Sequence, residues 1–439
     1  MSLDRRTFLS GAAALCAASS LSAFAQNETL RVDAARLQRT LEELSVFGRP
    51  AGGAFADGVS RVAYSDADVA GRKYVMGLME GMGPRVDTAG NIHVLRAGTD
   101  ASLPPILFGS HIDSVPSGGN FDGDVGSLSA LEILRTLVDK SLKTRHPLHL
   151  AIWQNEEGGL VGSTIAAGEF PAANLQHVSS SGLTIEAGIR KIGGDPTRLA
   201  EARIPKDSFR CYLELHIEQG GTLERDHVDA GVVEGIVGIK QWEVIVTGFA
   251  NHAGTTPMDQ RHDALLAASR FVEAVNRIVT SVPGRQVGTV GRIQAFPGAP
   301  NVIPGEVVCT LELRDLDAAK VDTLHDRIAA EANRIGAESG TSFAFRILHE
   351  NVPAPTDPRV RALITDAARE LGLTTKVMPS GAGHDAQAMA QLGPIGMIFI
   401  PSIGGISHAP KEFSRPNDIV NGANMLLGAL LKMDEASWT

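Results

Sequence analysis

The sequence predicts an α/β protein: an open sheet that gathers polar side chains at the carboxyl ends of its strands, with an inserted α+β domain of ferredoxin-like order. Two observations predict it. First, apolar runs at Pro105–Phe108, Pro147–Trp153, Cys211–Gly220 and Gly396–Ile400 read as strands, and each runs out into a Gly-containing segment bearing His or Glu. Open α/β sheets build their sites at that edge. Second, the texture changes near Gly238, where Gln241–Val246 alternates cleanly and the next elements come in the order β-α-β-β-α-β.

A length of 439 residues is material for two or three domains with large cores. The net charge of -10 argues against a nucleic-acid partner, and no polybasic run supports a membrane-surface role. Past residue 25 no apolar stretch is long enough to span a bilayer, so the mature chain is expected to carry no membrane anchor. Residues 1–25 read as a targeting segment. Arg5-Arg6-Thr7-Phe8-Leu9 resembles a twin-arginine export signal, and Ala23-Phe24-Ala25 is an A-x-A cleavage site, which predicts a periplasmic protein. Cys211 and Cys309 lie in apolar runs and read as reduced core thiols, with a disulfide between them as the alternative in an oxidising compartment.

In chain order, Leu30, Ala34, Leu37, Leu41 and Leu44 fall at helical spacing, and a Gly-rich loop follows at Gly48–Gly58. Ser65-Asp66 caps a second helix running to about Met79. Val86–Leu95 reads as a strand, kinked at Ala89-Gly90-Asn91. After the strand at Pro105–Phe108 comes GSHIDSVPSGGNFDGDVG, then a helix on SLSALEILRTLVDK. The segment 238–353 reads as the inserted domain, with helices over Asp263–Val279 and Ala318–Ile335 and strands over Val287–Ala295, Glu306–Arg314 and Ser342–Leu348. The chain then returns to the first domain, so 26–237 and 354–439 form one unit. Helices are expected near Asp357–Leu371 and Ala386–Leu392, and at the C-terminus.

The strand exits carry the chemistry. His111, Asp113, Asp122 and Asp124 follow the first run, Glu156-Glu157 the second, His216 lies in the third, and His408 follows the fourth. An ordinary polar turn is the competing reading at each exit taken alone. Together, His111, Asp122, Glu156 or Glu157, His216 and His408 make a nitrogen-and-oxygen donor set suited to two divalent ions sharing one carboxylate. Such a pair, with a bridging hydroxide, is a hydrolytic arrangement, and a free carboxylate beside it can move the proton. If strand geometry persists through Glu156-Glu157, the two side chains point in opposite directions, one to a metal and one to the substrate. No GxSxG or reactive-cysteine signature competes as nucleophile.

The stretches GSHIDSVPSGGNFDGDVG, NEEGG, ELHIEQG, NHAGTTPMDQRHDAL, PGAPNVIPG, ELRDLD, GAGHDAQ and GISHAPKE resemble the hydantoinase/carbamoylase branch of the dimetal amidohydrolases, which is related to aminoacylases and carboxypeptidases. The resemblance covers nearly the whole mature chain. It implies a dimetal-exopeptidase-like catalytic domain with a mixed central sheet, and a lid and homodimerisation role for 238–353. It implies two divalent ions per subunit (zinc by default; manganese, cobalt or nickel otherwise) on His111, Asp122, Glu157, His216 and His408, with Asp122 bridging. Glu156 would be the general base and acid, and Asp113 would orient His111 through its carboxylate. His252 would stabilise an oxyanion. Asn301, Arg314 and Gln219 would bind substrate, some of them across the dimer. The implied activity is hydrolysis of a linear C–N amide in an N-carbamoyl amino acid. N-acyl amino acid hydrolysis is the enzymatic alternative, and a periplasmic ligand-binding protein on a degenerate fold is the non-enzymatic one. Two departures bear on the substrate. Gly159-Leu160-Val161-Gly162-Ser163 stands where many members carry Arg-Phe before Gly-Ser, and Ile239-Lys240-Gln241 lacks an Arg-rich run.

Overall fold

The structure, a computed structural model, describes residues 30–437, so the export signal expected at residues 1–25 lies outside the described residues. In the first segment, α1 (Ala34–Leu44) and α2 (Asp66–Leu78) precede β1 (Arg85–Val86), β2 (Ile92–Arg96) and β3 (Ile106–His111). Then come α3 (Asp124–Asp139), β4 (Leu148–Trp153), α4 (Val161–Ala167), α5 (Ile185–Lys191), β5 (Cys211–Ile217), α6 (Thr222–Asp226) and β6 (Ala230–Ile236). The middle segment holds β7 (Gly238–Thr247), β8 (Asn251–His252), α7 (Ala264–Thr280), β9 (Val287–Thr289), β10 (Ile293–Phe296), β11 (Val302–Ile303), β12 (Glu306–Asp315), α8 (Ala318–Ser339) and β13 (Ser342–Asn351). The last segment holds β14 (Ala354–Pro355), α9 (Pro358–Glu370), β15 (Thr375–Ser380), α10 (Asp385–Met389), β16 (Ile395–Ile400) and α11 (Pro416–Glu435).

A nine-stranded mixed sheet runs β1-β2-β4-β3-β5-β16-β6-β14, with β15 also paired to β6. Its centre is parallel: β3 with β4, β3 with β5, and β5 with β16. These strands are buried almost throughout, which is why they read as continuous apolar runs. The expected kinked strand at 86–95 is instead a hairpin, with Arg85 opposite His93. Gly90 turns there at φ +91°, and the Asp87 carboxylate accepts the Asn91 N–H at 2.8 Å.

A five-stranded sheet is made wholly from the middle segment, in the order β10-β12-β7-β13 with β9 beside β12. One face packs on α7 and α8, where Phe271, Ile278, Leu324 and Ile328 meet Val244, Val246, Leu311 and Leu313. Asp263 and Asp317 cap these two helices, accepting backbone N–H groups of their first turns. The strand expected over Val287–Ala295 is two strands, because its register against β12 slips by one residue near Gly291. Cys211 and Cys309 are buried free thiols in different sheets, β5 and β12, so the reduced reading holds over a disulfide. Among the described residues no helix is long and apolar enough to cross a membrane.

Candidate metal centre

Sheet order puts the carboxyl ends of β4, β3, β5 and β16 side by side. His111 closes β3 opposite Trp153, and His216 lies opposite Phe399 in the β5–β16 pair. Their rings stand 5.9 Å apart, centroid to centroid. Each is held by a backbone carbonyl at Nδ1: His111 by Asp113 at 3.0 Å, His216 by Ile217 at 2.9 Å. That leaves Nε2 of both rings turned inward, buried and without a hydrogen-bond partner. Gly123, at φ +66°, lies against the His111 ring, and a Cβ there would sit 2.4 Å from it.

Asp122 is the centre of the cluster. Its Oδ1 is 3.5 Å from His111 Nε2 and 3.1 Å from His216 Nε2, and its Oδ2 is 3.4 Å from His408 Nε2. Glu157 completes the far side, with Oε2 3.5 Å from His408 Nε2 and a buried, unpartnered Oε1. Two donor groups result, His111–Asp122–His216 and Asp122–Glu157–His408, and each can hold a metal ion. A third group, Glu214–His216–His384, is buried beneath them. Within it, Glu214 accepts from Ser110 and the Ala386 N–H, and His384 Nε2 lies 2.7 Å from Ser380 Oγ, while His384 Nδ1 has no partner.

Glu156 is in neither of the two outer groups. Its Oε2 stands 3.7 Å from His111 Nε2, facing the same cavity. Glu156 and Glu157 both line that cavity, and strand geometry does not set their directions, since β4 ends at Trp153. A turn carries them, with Asn155 left-handed at φ +51° and the Gly159 N–H bonded to the Glu156 carbonyl at 2.9 Å. The Asp113 carboxylate fixes that turn, accepting the N–H of Glu156 at 3.1 Å and of Glu157 at 3.3 Å. Asp113 also faces the His111 ring. Its backbone carbonyl holds the His111 ring, while its carboxylate, 3.7 Å from Nδ1, positions the glutamates. Gln219 and His408 also turn through left-handed backbone, at φ +58° and +55°. Gln219 Nε2 lies 2.6 Å from Asp122 Oδ2 and 3.2 Å from His408 Nε2.

Electrostatics follow from packing carboxylates and imidazoles together. Burial opposes the charged form of Asp122, yet His216, His111 and His408 hold its pKa well below the ordinary carboxylate range. Burial alone would lower the His111 pKa, but Glu156, Asp122 and Asp113 raise it well above the usual value. Glu156 is pushed well up, by burial first and then by repulsion from Asp385, Glu157 and Asp122. Glu157 rises to about 7 through burial and Asp122, and His408 to about 9 through its contact with Asp122. The cavity above it measures about 650 Å³; Asp122, Glu156, Glu157, His216, Gln219 and His408 line it, and no Lys or Arg does.

His252, Asn301 and Arg314 do not line this cavity. His252 and Asn301 are exposed neighbours: the Ala253 N–H donates to the Asn301 carbonyl at 2.9 Å, and β8 pairs with β11. The Arg314 guanidinium is spent on Glu312 at 2.8 Å and the Gly381 carbonyl at 2.7 Å. Asp124, in the ligand-rich stretch, ion-pairs with buried Arg61 instead of joining the cluster. Sequence reasoning passed over Glu412, whose carboxylate bonds the loops of both Asp122 and His408. Only its place inside the GISHAPKE stretch signalled it.

Residues 107–432 match the model of peptidase family M20/M25/M40. The chain is 35% identical over 412 residues to the N-carbamoyl-L-amino-acid amidohydrolase of Paenarthrobacter aurescens, covering 92% of this chain and 99% of that protein. It is 36% identical to the ureidoglycolate hydrolase of Arabidopsis thaliana, covering 92% and 87% respectively. A solved amidase of the hydantoinase/carbamoylase family from Burkholderia multivorans superposes with a TM-score of 0.83 at 37% identity, covering 92% of this chain and 98% of that one. The chain therefore belongs to peptidase family M20/M25/M40 and, within it, to the hydantoinase/carbamoylase amidases.

Proposed function

We propose that this chain is a dimetal amidohydrolase that cleaves the carbamoyl C–N bond of N-carbamoyl-L-amino acids. The observation that carries the reading is a pair of donor groups sharing Asp122, with Glu156 beside them and in neither. His111, His216 and Asp122 would hold one ion, and Asp122, Glu157 and His408 the other. The Nε2 atoms of His111 and His216 and Oε1 of Glu157, buried and without a hydrogen-bond partner, fit that role. Zinc suits this nitrogen-and-oxygen set, as do manganese, cobalt and nickel. Bound there, a pair of divalent ions supplies Lewis acidity and a hydroxide nucleophile at neutral pH.

The chain's own part is acid–base work and positioning. Glu156 takes the proton of the attacking water and returns it to the leaving nitrogen, a role its place beside His111 and outside both donor groups suits. Asp113 holds the backbone of Glu156 and Glu157, its carboxylate accepting both N–H groups. Gln219 reaches the cavity beside Asp122 and contacts substrate there. His252 as oxyanion donor, and Asn301 and Arg314 as substrate binders, Arg314 at the carboxylate, act across a homodimer built on 238–353, or after that domain closes as a lid. The relatives named above act on carbamoyl or ureido compounds, which favours this bond over N-acyl amides. Glu156 speaks against a binding-only role, because binding needs no free carboxylate beside the cations.

The test is ammonia release from a panel of N-carbamoyl-L-amino acids and ureidoglycolate, with and without chelator. Chelator-sensitive ammonia release is expected. Acetate release from N-acetyl amino acids without ammonia would replace this reading with an acylase. Binding of ureido acids with neither product would favour the ligand-binding reading. Sedimentation of the mature chain, as dimer or monomer, tests the cross-subunit roles. We also propose export to the periplasm by the twin-arginine route. The motif Arg5-Arg6-Thr7-Phe8-Leu9 supports it, and periplasmic reporter activity lost on Arg5→Lys/Arg6→Lys tests it.

A further inference from the structure

Glu412 lies outside every donor group described above, yet it touches the loops that carry two of the expected ligands. It is buried, 4% exposed, on the segment that follows His408. Its Oε1 accepts the backbone N–H groups of Phe121 and Asp122, each at 3.0 Å. Its Oε2 takes the Ser407 hydroxyl at 2.8 Å and the His408 N–H at 3.3 Å. One carboxylate thus joins two loops about 290 residues apart in sequence. Ser407 adds a second link, its Oγ also lying 3.1 Å from Asp122 Oδ2. Among the described residues no Lys or Arg forms an ion pair with Glu412. A buried carboxylate without a cationic partner is costly unless hydrogen bonds satisfy it, and here all the donors belong to the two ligand loops.

The opposite side is shaped to admit it. Gly119 packs against Glu412 so closely that a Cβ would stand 2.2 Å from Oε1 and 2.4 Å from the side chain's own Cβ. Any residue but glycine at 119 would push the carboxylate off its donors. Asp122 Oδ2 and His408 Nε2 are meanwhile 3.4 Å apart, a spacing that depends on how these two loops are held.

We infer that Glu412 is a positioning residue that sets the distance between Asp122 and His408, and so supports the cation site on the Asp122–Glu157–His408 side through both loops and the His111–His216 side through Asp122 alone. The inference rests on the dimetal reading. It deepens it by making the two cation sites unequal in what supports them. Residues that orient ligands from behind typically change metal affinity 10–100-fold when removed.

The experiment is Zn²⁺ titration of the metal-stripped mature protein, read as stoichiometry and affinity against a competing chelator, with the melting temperature of the metal-free form taken alongside. Wild type is expected to bind two equivalents. Glu412→Ala is expected to keep one and to bind the second about 10–100-fold more weakly. Glu412→Gln keeps the volume, but its single carbonyl oxygen serves only one of the two loops, so an intermediate loss is expected. Gly119→Ala, which displaces the carboxylate without deleting it, should weaken the same site and covers the case in which Glu412→Ala does not fold. A purely structural role would lower the metal-free melting temperature and leave both affinities alone. That result, or two equivalents at wild-type affinity in Glu412→Gln and Gly119→Ala, overturns the inference. Wild type binding no Zn²⁺ overturns the dimetal reading itself, before any variant is made.

Discussion

Replacing Glu156 by glutamine separates metal holding from proton transfer. The side chain is buried in the cavity with Oε2 3.7 Å from His111 Nε2, yet it belongs to neither donor group built around Asp122. Glutamine keeps its volume and can still accept one hydrogen bond, but it cannot carry a proton between water and the leaving nitrogen. Positioned acid–base groups contribute about 10²–10⁴-fold. At about 1.4 kcal/mol per decade this is about 3–5 kcal/mol of barrier. The loss is expected in kcat, with KM within a few-fold, because the amide still fills the same space. Folding stability should not fall, since at neutral pH the change removes a carboxyl group crowded by Asp385, Glu157 and Asp122. Steady-state ammonia release, metal content and a urea melt on one preparation separate these effects. A Glu156→Gln enzyme with kcat within tenfold of wild type and two metals bound would refute the reasoning. So would loss of metal, which would move Glu156 among the ligands.

Three further predictions concern the surroundings. In Asp122→Asn, one oxygen that faces a donor group becomes an N–H donor, so the mature protein should lose at least one metal equivalent; unchanged stoichiometry by elemental analysis counts against the shared-carboxylate geometry. Arg61→Met leaves the buried carboxylate of Asp124 unpaired and strands the Ile112 and Phe47 carbonyls that Arg61 bonds at 2.7 and 3.0 Å, so a loss of about 3–5 kcal/mol is expected in urea unfolding, partly recovered by adding Asp124→Leu. The metal-free fold holds protons on Glu157 up to about 7 and on His408 up to about 9, above ordinary values near ~4.3 and ~6.5. Their contribution to metal-free stability is thus complete below those ordinary values and lost as pH rises through about 7 and about 9. A cation must displace the same protons, so the rise in melting temperature on adding Zn²⁺ should be small near pH 5 and grow towards pH 9; a rise that stays flat or shrinks rejects this linkage.

Part of the site was visible in the sequence because His111 and Glu156 closely follow the ends of apolar runs and His216 lies inside one, whereas Asp122 and His408 sit farther out on loops. His111 and His216 need only a local pattern to be placed, and Glu156-Glu157 likewise. What fixes the turn under the two glutamates was not legible in that pattern: their backbone N–H groups donate to the Asp113 carboxylate, which lies on another strand's exit. Glu412 was silent for the same reason at longer range, since its partners are Phe121 and Asp122. In the sheet, β6 and β15 escaped notice. Glycines dilute the apolar signal of Ala230–Ile236, and Pro379 sits at a register shift in the β15–β6 pairing. The middle segment read clearly because its sheet has one face against helices and one more open, so β12 alternates residue by residue.

Strand β16 is drawn from residues 395–400 yet lies inside the sheet, parallel to β5 and antiparallel to β6. A ribosome that has finished β5 and β6 has made two strands whose shared neighbour does not yet exist. Until Ile395–Ile400 emerges, Tyr212–Ile217 presents an open row of backbone donors and acceptors, the kind of edge that recruits foreign strands. The loop bearing His408 comes later still. The Asp122–Glu157–His408 group therefore gains its last donor only after residue 408 has been made, long after the strand that carries His111.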